Sequence, residues 1–307
     1  IRVGHCTLDE GNVHTGVTVV LPNDDPLMQK PLAASCIFNG FGKSVGLMQM
    51  AELGCLETPL ALTNTFSVGA IATAQIRAAV SAHPEVGREW STVNPLVLEC
   101  NDGYLNDIQA LAVTEKHYIE ACASASREFR QGSVGAGRGM SCFHLKGGIG
   151  SASRRILLDG KSYTLGVLVQ SNHGKLEDLT VDGICLGAGL AVRSLGDTPV
   201  DQGSIMMVVA TDLPCSTRQL KRILKRCSVG LARLGSFVGH GSGEIMIGPY
   251  APNQDILDCQ EISEERMDLC FKAVAEATEE AVLNSMVCAS PSQRLDGQIV
   301  HSLREFL

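Results

Sequence analysis

The stretch with the clearest potential for chemistry is a Gly-Ser pair at the start of an apolar run. Gly203 and Ser204 precede apolar and β-branched residues that continue to Thr211-Asp212, a pattern that predicts a fully buried strand with a hydroxyl at its first position. A chain cut between Gly203 and Ser204 would present a serine with both a hydroxyl and a free α-amine. That one residue would then be nucleophile and base together, as in N-terminal nucleophile enzymes. A plain loop-to-strand turn is the alternative.

Three further residues are candidates because they lie where predicted strands begin or end. Ser242 and Glu244 stand on a glycine-flanked turn before a short strand at 245–247, and residues two apart on a strand point to the same side. Both side chains could therefore face one cavity, although a surface turn with a surface acid is the alternative. Asn172 ends another predicted strand, where its amide could donate to an oxyanion or only form a turn.

The elements that must position these residues alternate between strands and helices. Strands are predicted at 17–21, 33–38, 60–67, 95–99, 163–170 and 205–210, with a hairpin region near 147–153. Helices are predicted at 68–80, in two stretches that end near 125, from 216 to 231, and from 263 to about 286. The glycine-rich segment 132–140 is not followed by a helical pattern, so no dinucleotide site is predicted. Residues 175–203 are predicted to be a linker that ends at the scissile pair.

Composition indicates a globular protein with a large core and excludes two classes of partner. Of 307 residues, 45% are apolar and 19% charged, which suits one large α/β domain or two ordinary ones. The formal net charge of −8 argues against nucleic acid, which requires a basic face. No apolar run approaches the roughly 20 residues of a membrane helix, so no membrane partner is expected.

The twelve cysteines favour neither a disulfide framework nor a metal site. They lie mostly inside apolar runs, as at Cys36, Cys100, Cys185 and Cys270, and no Cys-x-x-Cys pair or Cys/His cluster has metal-site spacing. We therefore expect buried reduced thiols and no metal. Reduced thiols favour a cytoplasmic location, and a periplasmic one is the alternative if a leader precedes Ile1; no signal peptide is evident.

Six segments together resemble one known family. They are 63–69 (TNTFSVG), 101–107 (NDGYLND), 147–150 (GGIG), 170–174 (QSNHG), 203–204 with the strand that follows, and 241–244 (GSGE). Their order and their spread over nearly all of residues 1–307 are far more specific than any single segment. The chain resembles the L-aminopeptidase/D-amidase-esterase (DmpA) and β-peptidyl aminopeptidase family.

The resemblance implies a fold, an activity and an assembly. The implied fold is a four-layer α/β/β/α sandwich of the DmpA/ornithine acetyltransferase-like type, a single catalytic domain over residues 1–307. The implied precursor cleaves itself before the nucleophilic serine, into residues 1–203 and 204–307. Members are proteases that release N-terminal residues from peptides, amides or esters with a free N-terminus; they use no metal or cofactor and assemble as homo-oligomers, usually homotetramers.

The same resemblance implies roles for the catalytic candidates. Ser204 is the nucleophile, and its free amine, with an ordinary pKa near 7.7–8.0, suits a base at neutral pH. Ser242 relays or orients the proton, and Glu244 holds Ser242 or the amine. Asn172 donates to the oxyanion.

The sequence says less about the residues that bind the substrate than about the catalytic candidates. Glu99 is predicted to bind the substrate's ammonium and Tyr104 to shape the pocket, although a strand-end carboxylate at the surface is the alternative for Glu99. The chain departs from the family pattern at Phe66, where relatives often carry His, and at Arg138, where they often carry Thr. The preference for α-, β- or D-residues therefore stays open.

Two other functions compete with the aminopeptidase. The first is an acyltransferase of the ornithine acetyltransferase-like fold, which typically uses a threonine nucleophile, so Ser204 speaks against it. The second is an unprocessed, non-catalytic scaffold, against which the intact set of Ser204, Ser242 and Glu244 argues.

Overall fold

The computed structural model describes residues 1–194, 203–250 and 261–307. In chain order its strands are β1 (Arg2–Glu10), β2 (Val13–Leu21), β3 (Leu32–Gly40), β4 (Leu60–Asn64), β5 (Leu96–Cys100), β6 (Ser141–Cys142), β7 (Leu145–Lys146), β8 (Gly148–Leu158), β9 (Lys161–Asn172), β10 (Thr180–Val181), β11 (Ile184–Cys185), β12 (Ser204–Thr211), β13 (Gly243–Tyr250), β14 (Ser292–Gln293) and β15 (Ile299–Val300). Its α-helices are α1 (Leu47–Leu53), α2 (Val68–Ala82), α3 (Glu115–Ala123), α4 (Leu186–Ser194), α5 (Thr217–Leu224), α6 (Cys227–Arg233) and α7 (Met267–Val287).

Two mixed sheets carry the fold. The four-stranded sheet has the order β1-β2-β4-β5, with β4 and β5 parallel and the other pairs antiparallel. The five-stranded sheet has the order β3-β13-β12-β9-β8, in which β12 is parallel to β13 and antiparallel to β9. The strand that Ser204 begins therefore lies at the centre of the five-stranded sheet, with a neighbour on each side.

Side-chain alternation along the strands divides the core into layers. On β12, Met206 and Val208 pack between the two sheets, whereas Met207 and Val209 pack on the opposite face. The layer between the sheets is largely apolar, and its members from the two sheets include Val3, Val20, Leu60, Leu62, Leu96, Leu98, Ile149, Leu168, Ile245 and Ile247. This layer binds the sheets face to face.

Helices cover both outer faces. Helix α2 and α3 pack on the outer face of the four-stranded sheet, where Ile71 and Tyr118 meet Val17, Val19 and Val97. The helices α5, α6 and α7 pack on the outer face of the five-stranded sheet. The order of layers is helix, sheet, sheet, helix, which confirms the four-layer α/β/β/α sandwich.

The helix predicted over 216–231 is two helices. The Ser216 hydroxyl accepts the backbone N–H of Gln219 and so caps α5, which ends at Leu224. A second helix, α6, starts at Cys227. One of the two helical stretches expected before 125 is also shorter than predicted, a single 3-10 turn at Ile108–Ala110 ahead of α3.

Residues 175–194 are not the linker that the sequence predicts. They form a 3-10 turn at Leu176–Asp178, the β10–β11 hairpin and α4. The glycine and aspartate residues of this stretch make the hairpin turn, where Asp182 and Gly183 both have positive φ, while leucines on either side of it, such as Leu176 and Leu190, are buried. The end of the predicted linker, residues 195–202, lies outside the described residues.

The cysteine prediction is right in part. Cys36, Cys100 and Cys270 are buried and free, but Cys185 is exposed, because the short hairpin that carries it lies on the surface. Cys288 is exposed as well. Within the described ranges, no group of three or more His, Cys, Asp or Glu side chains could hold a metal ion. No helix in those ranges is both long and apolar enough to span a membrane.

Candidate active site

Ser204 is buried at the first position of β12, between the two strands that flank it. Its Oγ accepts the backbone N–H of Gly243 at 3.2 Å, and its carbonyl accepts the thiol of Cys100 from the other sheet at 3.4 Å. In the antiparallel pairing with β9, Ser204 stands directly opposite Asn172. Directly opposite residues share one face of a sheet with Cβ atoms about 4.5–5.5 Å apart, so these two side chains adjoin.

Ser242 and Glu244 lie on either side of Gly243, the residue whose backbone N–H contacts the Ser204 hydroxyl. Both are buried, and the Ser242 hydroxyl donates to Oε1 of Glu244. The surface-turn alternative is therefore wrong, and the structure brings together the pair that the sequence predicts to share a side.

Asn39, on the neighbouring strand β3, holds this turn in place. Its side-chain N–H groups point at the carbonyls of Gly239, at 3.1 Å, and His240, at 3.0 Å, and also at that of Ser242. Sequence reasoning missed Asn39, because its partners lie about 200 residues away along the chain.

The side-chain amide of Asn172 is fixed in one orientation. Its Oδ1 accepts the backbone N–H of Ser141 at 2.9 Å, and its Nδ2 donates to the carbonyl of Asn101 at 2.8 Å. Since an amide nitrogen carries two hydrogens, one further N–H is available to a group bound beside Ser204. The amide is thus more than a turn former.

Glu99 is buried at the end of β5, so the surface-carboxylate alternative is wrong. Oε1 accepts the backbone N–H of Lys43 at 2.7 Å, and Oε2 accepts the hydroxyl of Thr65. A Cβ at Gly42 would stand only 3.4 Å from Oε1, so the segment around Gly42 lies directly against the carboxylate. Neither Lys43 nor Thr65 was predicted as a site residue, although Thr65 lies inside the segment 63–69 that carries the family resemblance.

Glu99, Glu244 and Asp102 surround Cys100. Burial, together with the negative charges of these three carboxylates, raises the pKa of the Cys100 thiol well above its ordinary value. The pKa of Asp102 is itself raised to about 6 by burial, an effect that hydrogen bonds from Thr15 and other side chains oppose. Three acidic groups in one buried region favour a cationic group over an anion.

The other residues considered for the substrate pocket are Tyr104, Phe66 and Arg138, and their surroundings differ. Tyr104 is half-buried, with the guanidinium of Arg294 over its ring at 4.4 Å, and its part in the pocket stays a prediction. Phe66 is exposed on the 3-10 turn that carries Thr65, and its part in the pocket stays a prediction as well. Arg138 forms an ion pair with Asp9 at 2.8 Å and donates to the hydroxyl of Ser292 at 2.9 Å.

Solved structures define the class of protein. The PH0078 protein from Pyrococcus horikoshii OT3 is 40% identical, with a TM-score of 0.94 over 99% of this chain and 89% of that chain. The L-aminopeptidase D-Ala-esterase/amidase from Ochrobactrum anthropi is 32% identical, with a TM-score of 0.89 over 98% of this chain and 88% of that one. The latter is described as a prototype of the serine aminopeptidases and a variant of the Ntn hydrolase fold. Fold and site together define an aminopeptidase with that fold.

Sequence relatives give the family. The β-peptidyl aminopeptidase BapA of Sphingosinicella microcystinivorans is 36% identical over 315 residues, which cover 96% of this chain and 78% of the relative. The model of peptidase family S58 matches residues 1–300. The chain belongs to peptidase family S58. The resemblance seen in the sequence is thereby confirmed, and the family favours a peptidase over an acyltransferase.

Proposed function

We propose that this aminopeptidase activates itself by cleavage between Gly203 and Ser204 and then uses Ser204 as its nucleophile. The observation that carries the proposal is the position of the Ser204 hydroxyl. It begins a central strand, accepts the N–H of Gly243 between the bonded pair Ser242 and Glu244, and stands opposite Asn172.

The structure around Gly203 suits self-cleavage. A Cβ at this position would lie 1.9 Å from the carbonyl oxygen of Asn172, so only glycine fits here. The carbonyl of Gly203, which self-cleavage would attack, therefore lies directly before Ser204 at the start of β12. In the proposed step the Ser204 hydroxyl adds to the Gly203 carbonyl carbon and the C–N bond breaks. This leaves an ester and the free amine of Ser204. Water then hydrolyses the ester, which restores the hydroxyl and leaves Gly203 as a carboxylate.

In turnover the new amine is proposed to act as the base. It takes the proton as the hydroxyl of Ser204 adds to the substrate carbonyl, and the free N–H of Asn172 donates to the oxyanion. The leaving amine departs with a proton, and water attacks the acyl-enzyme by the same route. Ser242, held by Glu244, orients the proton during both steps.

The proposed substrates carry a free N-terminal amine. Glu99 would bind this ammonium, and the neighbouring buried carboxylates strengthen its attraction. The relatives are named for β-peptidyl substrates and for L-aminopeptidase and D-Ala-esterase/amidase activities. A β-alanyl anilide, an L-aminoacyl anilide and a D-alanyl ester therefore form the first assay set, which would rank the three classes.

The test of processing is a denaturing gel of freshly purified protein with N-terminal sequencing of the smaller band. We expect two fragments, about two thirds and one third of the chain, and a smaller one that begins at Ser204. Ser204→Ala should stay one band and turn over no substrate, whereas Ser204→Cys should retain some cleavage because a thiol can also add to the carbonyl. A wild-type protein that stays uncleaved yet turns over fully would overturn the proposal.

The homotetramer implied by the resemblance is also part of the proposal. Several large apolar side chains are exposed in the described residues, among them Met48, Phe237 and Leu111, and assembly would cover such groups. Light scattering of the processed protein measures the mass directly.

A further inference from the structure

Lys146 is a fully buried lysine, the only one of its kind in the described ranges. It ends the short strand β7, opposite Ser141 on β6. Its Nζ lies 3.1 Å from the carbonyl oxygen of Gly137, 2.8 Å from that of Met140 and 2.8 Å from that of Gly147. These carbonyls accept three hydrogens, and only the ammonium form of lysine has three to donate.

Burial disfavours the ammonium form of Lys146, because a charged group loses favourable free energy of hydration when it leaves water. Burial lowers the pKa of Lys146 well below its ordinary value, and the charge of Arg138 lowers it further. The three carbonyls oppose that shift, because they bind the ammonium and bind neutral lysine less well. A methionine or leucine would fill the same space without such a cost, so a buried ammonium here calls for a reason beyond packing.

One of the three carbonyls leads directly to the active site. The carbonyl of Met140 and the N–H of Ser141 belong to the same peptide unit. That N–H donates to Oδ1 of Asn172 at 2.9 Å, and Nδ2 of Asn172 donates to Asn101 and has one hydrogen left beside Ser204. Hydrogen bonds in series polarise one another, so the positive charge strengthens each donor along the series.

The hairpin that carries this series has an unfavourable backbone. Phe143 and His144, at its turn, both have positive φ, 50° and 57°, a conformation that bulky residues rarely adopt. The turn is tied to the strand of Asn172, since the N–H of Phe143 donates to the carbonyl of His173 at 2.7 Å. The hairpin is thus held in a set position against β9.

We propose that Lys146 is a positioning residue for the aminopeptidase reaction. It holds and polarises the Met140–Ser141 peptide, which in turn fixes the amide of Asn172 as the oxyanion donor. The inference rests on the proposed function, in which Asn172 donates to the oxyanion. Lys146 touches neither substrate nor nucleophile and acts only through Asn172.

The test is a double-mutant cycle with Lys146→Met and Asn172→Ala, with rates normalised to the processed fraction on a gel. Lys146→Met keeps the length of the side chain and removes its charge and donors. We expect kcat to fall about tenfold or more, less than the ~10²–10³-fold usual for losing an oxyanion donor outright, with KM little changed. In the Asn172→Ala background the same substitution should have no further effect on kcat.

Two control variants separate this effect from general damage. Lys161→Met makes the same substitution at an exposed lysine, whose ammonium lies over the ring of Tyr163 at 5.0 Å, and should leave kcat unchanged. Val274→Ala, a truncation in the buried face of α7, lowers stability but leaves the Lys146–Met140–Ser141–Asn172 series intact, so it should also leave kcat unchanged. If Lys146→Met does not fold, Lys146→Gln supplies two neutral donors, and the same loss, smaller and confined to kcat, is expected.

The outcomes distinguish the two proposals. If Asn172→Ala alone leaves turnover unchanged, the role of Asn172 in the proposed function is wrong and that of Lys146 with it. If Asn172→Ala slows turnover but the Lys146 substitution slows both backgrounds by the same factor, or raises KM instead, Lys146 acts elsewhere and only the inference fails.

Discussion

Glu244 and Glu99 are both buried glutamates. Glu244 lies near the start of β13 in the five-stranded sheet and Glu99 near the end of β5 in the four-stranded sheet, and both raise the pKa of the Cys100 thiol. Their hydrogen-bond partners differ. Glu244 accepts the hydroxyl of Ser242, on the turn whose Gly243 N–H contacts the Ser204 hydroxyl. Glu99 accepts a backbone N–H from Lys43 and a hydroxyl from Thr65, and both of these come from segments outside the strand pair β12–β13.

Glu244 and Glu99 are alike in burial and charge, so the proposed difference between them, proton transfer for Glu244 and substrate binding for Glu99, rests on their positions relative to Ser204. A carboxylate that holds a hydroxyl beside Ser204, the proposed nucleophile, can influence proton transfer, which is part of the chemical step. A carboxylate fixed on the facing sheet can hold a cationic group of the substrate in both the ground and transition states, which is uniform binding. Changes at Glu244 should therefore alter kcat, and changes at Glu99 should alter KM.

The largest effect is expected for Glu244→Gln. The amide removes the charge that orients the Ser242 hydroxyl, so kcat should fall by ~10²–10⁴, the range of positioned proton transfer, with KM changed only a few-fold. Steady-state kinetics on the processed protein measures both constants, and Glu89→Gln, at an exposed position, is the matched control. An unchanged kcat would show that proton transfer does not depend on Glu244.

Glu99→Gln should act mainly on binding. Loss of a charged hydrogen bond of ~1.5–3 kcal/mol predicts a KM increase of about 10- to 100-fold, because each 1.4 kcal/mol is a factor of ten. The comparison substrate is the same peptide with an acetylated N-terminus. Wild type should discriminate strongly against it, and the variant should lose most of that discrimination. A variant that keeps the discrimination would remove Glu99 from ammonium binding.

Thr65→Val should produce a smaller change of the same kind. It removes the hydroxyl that fixes Oε2 of Glu99 and keeps the branched shape, so the carboxylate keeps its charge but loses one charge-assisted hydrogen bond that holds it in place, and substrate binding is affected only indirectly. We expect KM to rise by about two- to tenfold while kcat is maintained. Thr65→Ser keeps the hydroxyl and should behave as wild type; equal defects in both variants would indicate that shape, and not the hydroxyl, supports Glu99.

Asp102→Asn is expected to have the smallest effect on turnover and the clearest effect on the free energy of unfolding. The folded pKa of Asp102 is raised from 3.8 to about 6, so the folded state binds the proton more tightly than the unfolded state. The stabilisation from this group is present below pH ~4, falls as pH rises to about 6, and is absent above; its full size is roughly 3 kcal/mol.

Denaturant unfolding across pH 4–8 tests this sign. The measurement compares the Ser204→Ala variant with the double variant that also carries Asp102→Asn. Both stay uncleaved, so one continuous chain unfolds in each case. The stability difference between the two proteins should change between pH 4 and 6 and be constant above pH 7. A difference that is constant throughout would show that Asp102 titrates alike in both states.

The sequence predicts the site best where its residues are close along the chain. Ser242 and Glu244 are two apart, so the period of a strand already places them on one side. The apolar run after Ser204 predicts a fully buried strand, and Glu99 and Asn172 are candidates because of their positions at the ends of predicted strands. These predictions need only local patterns.

Contacts made between distant segments could not be predicted in this way. Lys43 and Thr65 reach Glu99 from 56 and 34 positions away, and no local pattern marks a backbone N–H as the partner of a carboxylate. The order of the five-stranded sheet likewise depends on pairings such as β3 with β13, about 200 residues apart. The linker prediction failed for a related reason, since only the folded core shows that the scattered leucines of 175–194 are buried.

The central place of β12 also decides what happens to the protein after it has folded. Strands β12 and β13 lie between β3 and β9, which come from the part of the chain before residue 203. Cleavage before Ser204, as proposed, would convert one continuous chain into two that are interleaved within a single sheet. Folding of the precursor is unimolecular, whereas refolding of the separated pieces would require their encounter and would slow on dilution. The mature enzyme would therefore persist through slow unfolding, and heat inactivation would be governed by that rate rather than by an equilibrium.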